Sequence, residues 1–160
     1  MGLDMYLTRR TYVKHWDYKG DDNIQVSVTM KGKPYRRIDP KRVSYIIEDV
    51  IEWRKVNCIH KWFVDNVQDG NDDCGEYRVE KSQLQSLLAL CIEVMQTAIV
   101  EDGKILNDQD IEDILPNQSG CFFGSQDYDQ YYLDEIERTY DALHDILDEG
   151  KEEYYYHSSW

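Results

Sequence analysis

A chain of 160 residues with 32 Asp and Glu against 18 Lys and Arg, net −14, suits one domain with its own core and disfavours nucleic-acid and membrane surfaces as partners. No window approaches the roughly 18 apolar residues of a membrane-spanning helix. The opening MGLDMYLTRR lacks the apolar run of a secretory signal, so a cytoplasmic setting with reduced Cys58, Cys74, Cys91 and Cys121 is expected.

Leu3, Met5 and Leu7 alternate with Asp4, Tyr6 and Thr8, which predicts a strand over 3–13 with one buried face. His15 to Asn23 reads as a polar turn region. Ile24, Val26, Val28 and Met30 alternate with Gln25, Ser27 and Thr29, so a second strand is expected over 23–30, antiparallel to the first. KGKPYRRIDPKR, residues 31–42, then gathers lysines and arginines around a single acid, Asp39. Such a cluster contacts phosphate or an acidic partner through charge-assisted bonds, or answers the acidic half of its own chain.

Asp39 as N-cap with Pro40 behind it starts a predicted helix over 40–51, buried along Val43, Ile46, Ile47, Val50 and Ile51. A second helix is predicted over 53–68, with Trp53, Val56, Ile59, His60, Phe63, Val64 and Val67 on one face and Arg54, Cys58, Lys61, Trp62 and Asp65 on the other. The two apolar arcs do not align, so a kink is expected near Ile51–Trp53. Gly70 stops the second helix. Asp69, Asp72 and Asp73 crowd the turn that follows, but the calcium-loop spacing DxDxDG is missing and no CxxC pair supports zinc, so no metal is expected. Cys74 beside two acids is a poor thiolate.

A short strand over 76–79 precedes a helix over 81–98 striped by Leu84, Leu87, Leu88, Cys91, Val94, Met95 and Ala98. Asp110 to Leu115 suggests one helical turn before Pro116. In NQSGCFFGSQDYDQYY, residues 117–132, two glycines bracket Cys121, Phe122 and Phe123, which reads as an aromatic strand leading into a helix capped by Ser125. That helix, 126–149, buries Leu133, Ile136, Tyr140, Leu143 and Leu147 and stops at Gly150. The tail YYYHSSW predicts a last strand over 153–160 anchored by Trp160. The sum is an α+β fold, one domain over 1–160, with a mainly antiparallel sheet and about four helices.

Charge and chemistry are unevenly placed. Residues 1–60 hold 12 basic and 8 acidic side chains, net +4, while residues 61–160 hold 6 and 24, net −18. His60 lies inside an apolar helix face. It is either a core histidine bonded to a carbonyl or a tyrosine, or a pocket histidine reaching a ligand or a carboxylate such as Asp72, Asp73 or Glu76. The crowded stretches 53–77 and 117–132 are expected to meet in space, since both carry aromatics and glycines between regular elements.

The opening MGLDMYL, the block WRKxNxIHKWFVxNVQxGxDDCGEY, the block QSGxFFGSxxYD and the closing SSW resemble a group of small phage and prophage proteins without an assigned activity. The resemblance spans nearly the whole chain, with Cys121 standing where the pattern carries an aromatic. It implies a phage setting and transfers no catalytic residue.

On these grounds the expected function is that of a small binding protein that sequesters a nucleotide-like ligand in counter-defence, with the host cytoplasm as its compartment. The candidate ligand-binding residues are Trp53, Arg54, Asn57, His60, Lys61, Asp73, Cys74, Tyr77, Ser119, Phe123, Ser125 and Tyr128. Rings stack on a base while arginine holds a phosphate. The alternative is an acidic inhibitor of a host protein or a nucleic-acid mimic, motivated by the −18 segment. A hydrolase using His60 ranks third, since no spacing matches a catalytic constellation. No cofactor, membrane contact or direct nucleic-acid binding is expected, and self-association is compatible with the pattern.

Overall fold

The computed structural model describes residues 2–147, 150 and 152–160. Its centre is a four-stranded antiparallel sheet built from β1 (Asp4–Tyr12), β4 (Tyr45–Arg54), β5 (Tyr77–Val79) and β8 (Glu153–Ser159), in the order β4-β1-β8-β5. β1 occupies the middle, with Met5 opposite Trp53 on one side and Ser158 on the other, and Leu7 opposite Ile51 and Tyr156. These period-2 positions bury one face, where Met5, Leu7, Ile51, Trp53, Val79, Tyr154 and Tyr156 form one core with three helices. Those helices are α1 (Asn57–Asn66), α2 (Lys81–Thr97) and α4 (Gln130–Ile146); α3 (Asp108–Ile114) packs against α2 and adds Ile111 to the same core. The other sheet face carries Asp4, Tyr6, Arg10, Glu52, Tyr155 and His157, where Tyr6 stacks on His157 at 4.9 Å and Arg10 lies 3.9 Å above the Tyr155 ring.

The α+β class, the antiparallel sheet and four helices of seven or more residues agree with the expectation; three element assignments do not. Residues 40–51 are not a helix. Asp39 does cap, accepting the Lys41 N–H at 3.0 Å, but the 3-10 turn lasts only from Pro40 to Arg42 before β4 begins. The run VSYIIEDVIEW fits helical spacing by count, yet its β-branched density favours a strand, and pairing along nine positions of β1 decides the matter. A bulge opposite Leu7 and Thr8 leaves Val50 unpaired and shifts the register. The expected interhelical kink at Ile51–Trp53 is therefore the interior of a strand, and the turn comes at Lys55, whose φ is 60°.

Residues 23–30 are the second correction. Only Thr29–Met30 (β2) pairs, and only with Lys33–Pro34 (β3) in an isolated hairpin. Ile24 and Met30 stay 54% and 53% exposed, because the strand that would cover them is absent and β1 has taken β4 and β8 as neighbours. Helix 53–68 shortens to α1, since Trp53 belongs to β4. Helix 126–149 shortens to α4, capped by Asp129, which accepts the Tyr132 N–H at 3.0 Å. Ser125 caps no helix; it closes a local turn with Asp127, and the aromatic strand expected ahead of α4 does not form within 117–128. Residues 148 and 149, the expected end of that helix, lie outside the described residues. Two-residue strands β6 (Val100–Glu101) and β7 (Lys104–Ile105) form a hairpin ahead of α3. Among the described residues no helix is long and apolar enough to cross a membrane.

Candidate functional site

The two crowded stretches do meet, and the meeting point is the start of α1. Lys55 donates its N–H to Leu3 O at 2.8 Å and turns the chain from β4 into α1 in the left-handed conformation. Asn57, 2% exposed, then clamps the second stretch: its Nδ2 donates to Phe123 O at 3.3 Å and Ser125 O at 2.7 Å, while Oδ1 accepts from Gln118 N–H at 3.0 Å. One buried amide thus satisfies three backbone groups of a loop that has no ladder of its own. Gly124 is required there: its φ is 98°, and a Cβ would sit 2.9 Å from Lys55 Cβ and 3.0 Å from Lys55 O. At Gly120 a Cβ would fall 2.3 Å from the Phe123 ring.

Phe123, locked in this way, packs edge-on against His60 at 5.2 Å. His60 is fully buried on α1, and both of its ring nitrogens are engaged. Nε2 lies 3.1 Å from the Asp72 carboxylate and Nδ1 lies 2.8 Å from Tyr156 Oη. A carboxylate only accepts, so Nε2 carries the proton, and Nδ1 accepts from the Tyr156 hydroxyl. Burial lowers the His60 pKa from its ordinary value, although the bond to Asp72 opposes the shift; burial pushes the Tyr156 phenol far up, which keeps it a donor. Asp72 Oδ1 also accepts from Trp160 Nε1 at 3.0 Å, and Trp160 contacts Phe123 edge-on at 6.1 Å. The chain Tyr156–His60–Asp72–Trp160 therefore ties β8, α1, the acidic turn and the C-terminus together. Tyr156 stacks on Phe63 at 3.8 Å and 7°, which closes the core behind it.

Sequence reasoning listed the tyrosine and the carboxylate as rival partners for His60, and the structure uses both. It missed Tyr156 itself, though the alternation of buried Tyr154, Tyr156 and Ser158 in YYYHSSW carried the signal. Trp53 is buried, with Nε1 donating to Thr139 Oγ1 at 2.9 Å. Lys61 pairs with Asp65 at 2.8 Å, one turn further along α1. Asp73 serves the turn, accepting from Gly75 N–H at 2.9 Å and from Tyr77 Oη at 3.0 Å, which raises the Tyr77 pKa. Tyr128 Oη accepts from Asn117 N–H at 3.1 Å, and its ring packs on Tyr132 at 5.1 Å; burial raises its pKa. Cys74, Ser119 and Cys121 are exposed, so the cysteine in the aromatic position lies outside the packing around Phe123. Burial pushes the Cys91 thiol up to about 12, and Cys58 higher still, so neither is a nucleophile. Among the described residues no group of three His, Cys, Asp or Glu could hold a metal ion.

Most of the expected ligand-binding set thus spends its polar groups on the fold. Arg54 does not. It lies in an open groove of about 390 Å³ between the ends of β1 and β4 and the outer side of α4, lined by Asp4, Tyr6, Glu52, Trp53, Arg54, Tyr131, Glu135 and Arg138. Arg54 Nε is 3.6 Å from Asp4 Oδ1, and Arg138 is held by Glu135 at 2.9 Å and by Glu52 O. Tyr131 Oη reaches back to Arg54 O at 3.5 Å, and Tyr131 and Glu135 also line a small cavity of about 20 Å³ beside Lys55, Asn57 and Ser125. That cavity has room for about one water, whereas the groove lies in the size range of small-molecule sites, roughly 300–1,000 Å³. Asp4, Tyr6, Glu52, Tyr131 and Arg138 escaped the sequence reading because they come from three separate elements. No family model, curated protein or solved structure matches this chain.

Proposed function

We propose that this chain is a small-ligand-binding protein whose site is the open groove of Arg54, Arg138, Tyr6 and Tyr131, with the sealed His60 network as its scaffold. The observation that carries the reading is the convergence of two guanidinium groups and two tyrosines on one groove of about 390 Å³, directly beside the junction of the two distinctive sequence blocks. Guanidinium forks match phosphate or carboxylate oxygens, and tyrosine rings offer a stacking face. The carboxylates of Asp4, Glu52 and Glu135 accept from amino or hydroxyl groups. The ligand class that fits is a small, planar, anionic molecule of nucleotide type, and in a phage setting its capture would blunt a host signal.

The test is native mass spectrometry of protein purified from a bacterial host, rerun after denaturation, followed by a thermal-shift screen of nucleotides. A mass excess lost on denaturation, or a Tm rise that Arg54→Ala with Arg138→Ala weakens at least about tenfold in apparent affinity, supports the reading. A clean apo mass together with no thermal shift across the panel overturns it. One observation favours a second reading, an acidic surface for a basic protein partner: Asp134, Glu137, Asp141 and Asp145 recur along the exposed side of α4. Salt-sensitive capture of a host protein that survives replacement of these four residues by alanine would remove it.

A further inference from the structure

The excursion between β1 and β4, residues 14–44, has a charge and a surface that the rest of the chain does not explain. It carries eight Lys and Arg against four Asp, net +4, which leaves −18 on the remainder. Among the described residues none of those eight cations has a carboxylate within ion-pair distance; Lys14 instead lies 4.5 Å from the Trp16 ring. Among the described residues the basic segment therefore forms no ion pair with the acidic half of its own molecule.

The excursion is also held together locally. Of its residues only Asn23 is buried, and Asn23 spends its amide on Trp16 and Gly20, accepting from Trp16 N–H at 2.7 Å and donating to both carbonyls at 2.9 Å. The β2–β3 hairpin pairs only with itself. The segment is a self-organised arm on the domain. Its surface is unusually apolar for a charged arm: Tyr18 is 77% exposed, Ile24 54% and Met30 53%, and Ile47 at its root on the edge strand β4 is 58% exposed. A concavity of about 290 Å³ opens on it between His15, Ile24, Val26, Pro40 and Lys41.

We infer that this basic, apolar-studded arm is a self-association surface, and that it docks on the acidic body of a second copy of the chain in a reciprocal, two-fold exchange. Charge complementarity argues for this occupant: a +4 arm faces a −18 body, and that body is supplied at equal concentration by every other copy. A two-fold axis lets each arm reach the other body and closes the assembly at two. The arm's 31 residues are enough to supply the roughly 20–30 residues per side of a stable interface. Nucleic acid fits less well, since exposed Ile24, Met30 and Ile47 gain nothing from phosphates and the body repels them.

The experiment is sedimentation equilibrium of the full chain up to roughly 100 µM, a range that captures micromolar association. It is run at about 0.15 M and about 1 M salt, where the screening length falls from about 8 Å to 3 Å. The expected species at low salt has twice the 19.1 kDa chain mass, and high salt weakens association at least about tenfold. The variant Lys31→Glu, Lys33→Glu, Arg36→Glu, Arg37→Glu should be monomeric and still unfold cooperatively, because its four positions are exposed and outside the core. Ile24→Ser, also exposed, should weaken the dimer without removing it. A wild-type monomer throughout the range overturns the inference, as does a dimer that the four-site variant leaves intact. A monomer whose arm instead shifts an oligonucleotide, with the shift lost in that variant, assigns the arm to nucleic acid and overturns it too.

Discussion

Tyr156→Phe isolates one bond at the centre of the structure. The ring remains and keeps its 3.8 Å stack on Phe63, so no cavity opens; only the hydroxyl that donates to His60 Nδ1 is lost. The imidazole cannot adapt. Moving its proton to Nδ1 would leave a donor with no acceptor and would turn the Nε2 lone pair toward Asp72 at 3.1 Å. The cost is that of an unsatisfied buried acceptor, about 1–3 kcal/mol. At about 2–4 °C per kcal/mol for a chain of this size, Tm should fall by roughly 2–12 °C. Urea denaturation should show a lower midpoint with an unchanged slope, since the surface exposed on unfolding is the same. In a double-mutant cycle with Asp72→Asn, a shared network gives a coupling of about 0.5–3 kcal/mol. A loss under about 0.5 kcal/mol that simply adds to that of Asp72→Asn would refute the reasoning.

Acid should weaken the fold through His60. Its folded pKa is lowered by burial while the unfolded chain titrates near 6.5, so the unfolded state binds the extra proton first. The His60 contribution is constant above about pH 6.5 and is lost as pH falls from there to the lowered folded value, at up to about 1.4 kcal/mol per pH unit. Urea midpoints between pH 7.5 and 5.5 should show this decline, and His60→Gln should flatten it; a midpoint that rises on acidification contradicts the assignment. Asn57→Ala should cost about 1–3 kcal/mol by orphaning the Gln118 N–H and the carbonyls of Phe123 and Ser125, with faster hydrogen exchange confined first to 117–125. Gly124→Ala should destabilise by about 1–3 kcal/mol through its φ of 98° and the approach to Lys55; a neutral or stabilising effect in thermal melts would count against the clamp.

The elements that sequence reasoning placed well are those with local punctuation. The stripe from Leu84 to Val94 is α2, started where Glu80 N–H donates to Gln83 Oε1 at 2.8 Å, and the alternation around Met5 and Leu7 is β1. It failed where two periods fit the same letters. Val43, Ile46, Ile47, Val50 and Ile51 satisfy helical spacing, and a bulge at Val50 breaks the strand alternation that would have competed. It failed again at Ile24 to Met30, because alternation reports a strand-shaped pattern and not the presence of a neighbour to pair with. His60 was legible as a residue of interest, since a histidine inside an apolar arc demands partners. Its function as a hub was not, because Tyr156 and Trp160 lie about a hundred residues away in sequence. The groove was least legible of all: only Trp53 and Arg54 of its lining stood out, and the rest is assembled by the pairing of β1 with β4 and the seating of α4.

The claim on which the rest depends is that His60 is a sealed structural hub and not a reactive base. Nitrogen-15 NMR of the imidazole reads this directly through its tautomer and charge. A neutral ring protonated on Nε2 at pH 7, taking up its second proton only below the ordinary histidine range and with the Nε2 proton protected from exchange, is the predicted result. A protonated ring at pH 7, or a neutral ring carrying its proton on Nδ1 in rapid exchange with water, would contradict it.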